Sequence, residues 1–434
     1  MIQALKTISK ANKAATSRQQ IYKSTVYRYA TTTTKTTMNT KMNDLLEIDE
    51  LKVTAIVENV CDSMSSCGCC KVPGFDYVPQ TKRLLDRVIS QQKKKKTGNN
   101  SLDGNLLLEG ESLDKVHPRH ICGGEHGLSF LLEATIYNGE NGDGANDTNN
   151  GNNNGTIKRS ILLDAGPYGE LFDENKDKLQ IQQDLKRVEA VVLSHYHYDH
   201  SGGLLHAVRA CSAEQTDDQE PVIVDLHPSA ITRRGQAVTT KKEEEESKVL
   251  IRPHVPNSPT AQELEAAGAK VEYHGEEHTV AHNAFYVSGF IPRNTTYETG
   301  FPSHVTLHND SQKWISDSDI ADERYVACKI RNRGMVVFSS CSHAGINNVC
   351  NDVKAKATPS YPLYGVVGGF HLSGKAVEDR IETTCQDLQK TVSADTAILA
   401  GHCTGWKAMA ELAKTFPNQY QPLSVGSTYY FRAS

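Results

Sequence analysis

From Leu51 onward the chain is punctuated by short apolar runs. "LKVTAIVENV" alternates apolar and polar positions as a strand does. "GLSFLLEATI", "RSILLDAG", "VEAVVLSH", "PVIVDLH", "GMVVFSSCSH", "YGVVGGFH" and "TAILAGHC" follow as β-branched or apolar stretches, each closed by Gly, Ser, Asp or His. Runs of about four to eight such residues read as buried strands. Helical patterns are sparser: "DHSGGLLHAVRAC", "SPTAQELEAAGAK" with a Ser or Thr cap, "GKAVEDRIETTCQDLQKTV" and "GWKAMAELAKTF". Strands interspersed with helices predict an α/β protein, and the close succession of strands near the start predicts some antiparallel pairs. No apolar run reaches the roughly 18 residues that a membrane-spanning helix needs.

Three polar stretches interrupt this pattern: "QQKKKKTGNNSLDGN", the Asn/Gly-rich "NGENGDGANDTNNGNNNGT", and the charge block "TTKKEEEESK". Strand-like segments resume directly after each, so all three read as low-complexity surface insertions rather than domain linkers. The first 43 residues contain no Asp or Glu but carry Lys6, Lys10, Lys13, Arg18, Lys23, Arg28, Lys35 and Lys41 among many Ser and Thr. That composition suits a mitochondrial transit peptide; a tail that targets nothing would leave the protein cytoplasmic. The expected organisation is a disordered tail over residues 1–45 and a single domain over 46–434.

The 434-residue chain has a formal net charge of −5, which supplies no general attraction for nucleic acid or an anionic membrane. A small-molecule substrate is the expected partner, and the oligomeric state is not readable. The 11 cysteines are odd in number and do not form the dense framework of a small secreted domain, which fits a reducing compartment. Cys67, Cys69 and Cys70 lack a matching CxxC pair or a nearby His and read as incidental thiols on a loop.

The densest chemistry is "VVLSHYHYDHSGGL". His195 and His197, spaced i and i+2, point the same way on an extended segment, and Asp199 and His200 follow as the chain turns, so one loop reaches two adjacent metal ions. Neutral imidazole and carboxylate suit zinc, and also accommodate iron or manganese. His343, His371 and His402 each stand just beyond an apolar run. Side chains outside the strand ends of an α/β sheet converge on one edge, which makes all three candidates to complete the pocket.

"SHYHYDHSGG" resembles the HxHxDH signature of the metallo-β-lactamase superfamily. "EHGLSFLLE", "ILLDAGPYGELFDEN", "SGFIPRNTTYETGF", "SSCSHAGINN", "GGFHLSG" and "GHCTGWKA" resemble its branch of metal-dependent hydrolases related to dihydropterin-ribofuranosylaminobenzene phosphate synthase. The resemblance implies an αββα sandwich with a metal site on one edge, holding two zinc ions. By motif position, His195 and His197 with a downstream His would hold one ion, and Asp199 and His200 the other. His343 and His402 are the chosen downstream ligands; His371 either replaces one of them or binds substrate and stabilises developing negative charge. The superfamily's bridging Asp has no counterpart after "GMVVFSS", where Cys341 and His343 stand instead. Asp199 would also orient the attacking hydroxide.

Other residues carry two readings each. Glu125 and His126 either face the site or are structural. Asp164 is either an acceptor behind a ligating His or a turn cap. Arg293 either binds a substrate phosphate or carboxylate or makes a surface ion pair. Tyr196 reads as packing. The expected activity is metal-dependent hydrolysis of a small ester, lactone or phosphate-bearing compound by a metal-bound hydroxide. The alternatives are a dihydropterin-type phosphate synthase and a mononuclear iron sulfur dioxygenase.

Overall fold

The computed structural model describes residues 41–62, 70–84, 86, 120–137, 155–213, 220–229, 233–240, 248–253, 258–308 and 313–434. Cys67, Cys69 and most of each polar stretch lie outside them, as do residues 1–40.

In chain order the strands begin with β1 (Glu47–Ile48), β2 (Glu50–Val57), β3 (Phe75–Val78), β4 (Ser129–Tyr137), β5 (Thr156–Leu163), β6 (Ala190–Val192) and β7 (Val222–Leu226). Next come β8 (Arg234–Thr240), β9 (Lys248–Pro253), β10 (Ala269–Tyr273), β11 (His278–Val280), β12 (Phe285–Val287), β13 (His304–His308) and β14 (Lys313–Ser316). The last are β15 (Val326–Ile330), β16 (Gly334–Ser339), β17 (Leu363–Gly369), β18 (Ala397–Gly401), β19 (Tyr420–Pro422) and β20 (Thr428–Arg432). Among the described residues they form two eight-stranded sheets, ordered β10-β7-β6-β5-β4-β2-β20-β3 and β11-β12-β15-β16-β17-β18-β19 with β1 on β15, and a four-stranded sheet β14-β13-β8-β9. The antiparallel pairs expected near the start are present as β2–β4, β4–β5 and β2–β20.

Strand alternation builds the layers. On β16, Val336 and Phe338 join Val53, Phe130, Ile161 and Val192 in a cluster shared by the two large sheets. Met335 and Val337 face the other way, toward Val349 and Val353 of α6 (Ile346–Lys356), Leu388 of α7 (Ile381–Thr391) and Leu412 of α8 (Gly405–Thr415). Leu131, Leu162 and Val191 on the far face of the other sheet pack on Leu171 and Phe172 of α1 (Gly169–Leu179) and on Leu204 and Val208 of α4 (Leu204–Ser212). The result is the expected αββα sandwich. The short helices α2 (Gln182–Leu185), α3 (Tyr198–Ser201) and α5 (Ala261–Ala266) lie between those helices in the chain. No helix among the described residues is long and apolar enough to cross a membrane.

The fold takes in residues that the sequence reading assigns to the tail. Met42 and Leu45 are buried in the helix-side core of the second sheet. A chain starting at residue 46 lacks these two buried side chains and is expected to be about 2–5 kcal/mol less stable than one starting at Lys41, measured by denaturant unfolding of both truncations.

Candidate metal centre

β6 ends at Val192, and the extended backbone of His197 (φ −83°, ψ 146°) leads into the single turn of α3, which carries Asp199 and His200. The glycines that follow let this turn lie against the loop after β5: a Cβ on Gly202 would stand 1.8 Å from the Pro167 carbonyl oxygen, and one on Gly203 2.1 Å from that of Ala165. Cys341 and His343 leave β16, His371 leaves β17 and His402 leaves β18, neighbouring strands that run parallel. The ends of strands from both sheets thus meet on one edge.

Two donor clusters form there. In the first, His195 Nε2 lies 2.9 Å from His197 Nδ1, and His343 Nε2 lies 3.2 and 3.1 Å from those two atoms. Four groups make up the second. Cys341 Sγ lies 3.1 Å from His200 Nε2 and 3.3 Å from His402 Nε2, while Asp199 Oδ2 lies 3.6 Å from His200 Nε2 and 3.4 Å from His402 Nε2.

The hydrogen bonds behind the rings assign their tautomers. Ser194 Oγ donates to Asp164 Oδ2 (2.8 Å) and so accepts from His195 Nδ1 (2.9 Å). His200 Nδ1 donates to Asp164 Oδ2 at 2.7 Å. His304 Nδ1 donates to the Asp317 carbonyl (3.1 Å), so His304 Nε2 accepts from His197 Nε2 at 2.8 Å. His402 Nδ1 donates to Asn59 Oδ1 at 3.2 Å. His195, His197 and His200 therefore each turn a lone pair inward. Lone pairs facing one another at about 3 Å repel unless a cation lies among them, and tetrahedral nitrogen ligands about 2.0–2.1 Å from zinc stand roughly 3.3 Å apart. The donor set fits a metal pair.

Electrostatics point the same way. Burial, reinforced by neighbouring imidazoles and Arg234, holds His195 and His197 well below the usual histidine range, and burial with the surrounding imidazoles does the same for His343, so all three are neutral near pH 7. Burial opposes the charge on Asp199, but His200, His126 and His402 outweigh it and keep the carboxylate ionised. Burial likewise opposes charge on His402, and Cys403 and Asp199 outweigh it; the second cluster is a field that favours positive charge.

The backbone is held in unfavourable conformations around these residues. Asp164, Ser342, His371 and His402 have φ of 58°, 57°, 45° and 49°, a region that costs a non-glycine residue about 1 kcal/mol or more. Local hydrogen bonds hold it: Ser342 Oγ lies 2.6 Å from the Gly369 carbonyl oxygen, and the buried Glu58 carboxylate accepts from the backbone N–H groups of Val60 and His402. Glu323, also buried, accepts from the N–H groups of His343 (2.7 Å) and Ala344 (2.6 Å).

His195, His197, Asp199, His200, His343 and His402 all enter the two clusters, and Asp164 stands behind His200. His371 belongs to neither cluster; its ring lies 4.3 Å from that of His343, and its Nδ1 has no protein partner. His126 does face the centre, 3.3 Å from Asp199 Oδ2 and stacked on His402, whereas Glu125 is exposed. Tyr196 is buried packing, its hydroxyl on the His227 carbonyl.

Arg293 lies beside the His343 loop. Its guanidinium donates to the backbone carbonyls of His343 (2.8 Å) and Asp319, so it braces the loop that carries His343. Four contributors were not anticipated as such: Cys341 as a donor, and His304, Asn59 and Glu323 behind the donors. Cys341 had a usable signal, because Cys341 and His343 repeat the i, i+2 spacing of His195 and His197. The other three had none.

Residues 155–289 match the family described as the metallo-beta-lactamase superfamily. It is 25% identical over 307 residues to the 7,8-dihydropterin-6-methyl-4-(beta-D-ribofuranosyl)-aminobenzene-5'-phosphate synthase of Methanocaldococcus jannaschii, covering 71% of this chain and 90% of the synthase. A second protein of that organism, uncharacterized, is 27% identical over 59% of this chain and 83% of its own length. The solved structure of Tm1679, described as a metal-dependent hydrolase of the beta-lactamase superfamily, superposes with a TM-score of 0.51 at 17% identity, covering 87% of this chain and 98% of that one, and shares the fold.

Proposed function

We propose that this protein is a zinc-dependent hydrolase of a small ester, lactone or phosphate-bearing substrate. The observation that carries the reading is the pair of adjoining clusters, three neutral imidazoles beside two imidazoles, a carboxylate and a thiol. A thiol among the donors favours zinc over manganese. His195, His197 and His343 would hold one ion, and Asp199, His200, Cys341 and His402 the other. When bound, such ions act as Lewis acids and make water acidic enough to supply hydroxide near neutral pH.

The rest is done by the chain. Asp199, ionised and steadied by His126, accepts a hydrogen bond from the attacking water and orients it. His371, with an uncommitted Nδ1 beside His343, donates to the oxygen on which negative charge develops. His371→Ala is expected to lower kcat by about 10²-fold with metal content unchanged, read by steady-state kinetics and elemental analysis of the same sample. Metal loss without a change in turnover per remaining ion would make it a ligand instead.

The synthase reading rests on the name of the jannaschii relative; on it, this chain would condense a pterin-type compound with a phosphate-bearing partner. Product analysis separates the two: release of an alcohol, acid or phosphate with uptake of water supports hydrolysis, and joining of two substrates supports synthesis. Two complete donor clusters also favour hydrolysis over mononuclear iron oxygen chemistry. Two zinc ions held at this centre, one of them lost in His402→Ala, is the expected result; a single iron unaffected by that change would overturn the proposal.

A further inference from the structure

A third group of metal-type donors lies away from the centre, where the two large sheets meet. Asp225 is the penultimate residue of β7, and His274 follows β10, both in the first sheet; His278 opens β11 in the second. His274 Nδ1 and His278 Nε2 lie 3.2 and 2.5 Å from the same oxygen, Asp225 Oδ2, and the two rings stack with centroids 4.1 Å apart.

The hydrogen bonds leave this arrangement short of a positive charge. His278 Nδ1 lies 3.0 Å from the Glu276 carbonyl oxygen, which only accepts, so Nδ1 carries the proton. Nε2 of a neutral ring then presents its lone pair to a carboxylate oxygen that also only accepts. His274 Nδ1 is buried and makes no hydrogen bond. A positive charge among the three atoms, carried by a protonated imidazole or by a metal ion, relieves the repulsion, and two imidazoles with a carboxylate are a borderline-metal donor set.

The surroundings hold the donors in place. Arg324 Nη1 takes the other oxygen, Asp225 Oδ1, at 2.5 Å, and also reaches the His274 carbonyl at 3.3 Å, leaving Oδ2 to the imidazoles. The side chains of His274 and His278 are 35% and 16% exposed, against 0% for Asp225, so an ion has an entry path from solvent.

We propose that Asp225, His274 and His278 form a third zinc site, one that staples the edge of the first sheet to the edge of the second. Arg324 Nη2 also bonds the Leu193 carbonyl (2.7 Å), two residues before His195, so the staple adjoins the strand that delivers the catalytic loop.

The test counts zinc. Full-length protein stripped with chelator, reloaded with zinc and desalted is compared with the His274→Gln, His278→Gln double variant by elemental analysis. The double variant is expected to hold one zinc per chain fewer, whatever the loading of the dinuclear centre, while the stripped forms melt together. Equal counts would overturn the proposal and leave an ion pair of Asp225 with a protonated imidazole. Should the variant not fold, ethoxyformylation of wild-type His274, followed by mass spectrometry, replaces it: protection by zinc supports the site, and modification indifferent to zinc overturns it.

Discussion

His195→Ala is expected to lose metal from the first cluster and to lower turnover by more than about 100-fold. Altering a residue that merely supports a ligand commonly costs 10–100-fold in affinity or activity, and His195 is itself a donor, 2.9 Å from His197 and 3.2 Å from His343. Without it, two nitrogens remain where three converged. The ring is buried, its Nδ1 is bonded to Ser194 behind it, and Ser194 keeps its bond to Asp164, so the fold should survive. Wild type and variant should melt within a few degrees of each other in chelator and diverge with zinc, because only wild type gains the stabilisation of a ligand bound to the native state. Elemental analysis with the two melting curves checks this; an unchanged metal count would refute the ligand assignment.

The second large effect is expected at Cys341. With cobalt in place of zinc, the wild-type protein should show a thiolate-to-metal charge-transfer band in the near ultraviolet, and Cys341→Ser should lack it. The same variant should lose one of the two ions of the centre, since Asp199, His200 and His402 are left with a weaker donor, and its activity should fall by about 10²-fold. A serine is smaller than the buried thiol and differs by a single atom, so misfolding is not a competing account. If the band persists, the thiolate is another cysteine, and Cys403, whose Sγ lies 3.4 Å from the Cys341 carbonyl oxygen, is the one to replace next.

Much of this architecture was legible beforehand because it is local. The runs that end in Ser194, Ser339, Gly369 and Gly401 are apolar on both faces, as strands covered by a second sheet and by helices must be. Histidines placed directly after such runs can only sit at strand ends. Cys341 was not named as a donor because a thiol after a buried strand is common in this chain; only the β16–β17–β18 register brings its sulfur to His200 and His402. The bracing contact of Arg293 was hidden for a related reason. A guanidinium in a loop advertises an anion, and nothing nearby in sequence announces that the His343 carbonyl, 50 residues on, will take it.

Residue types, the i, i+2 spacing of the donors and the strand ends that present them follow from the sequence alone, since they depend on alternation and on what a strand can bury. Which donors come together was decided by the tertiary structure. His195 meets His343 across 148 positions, and His197 meets His304 across 107. Such meetings depend on how two sheets and a small third one pack together, and no local periodicity along the chain encodes that packing.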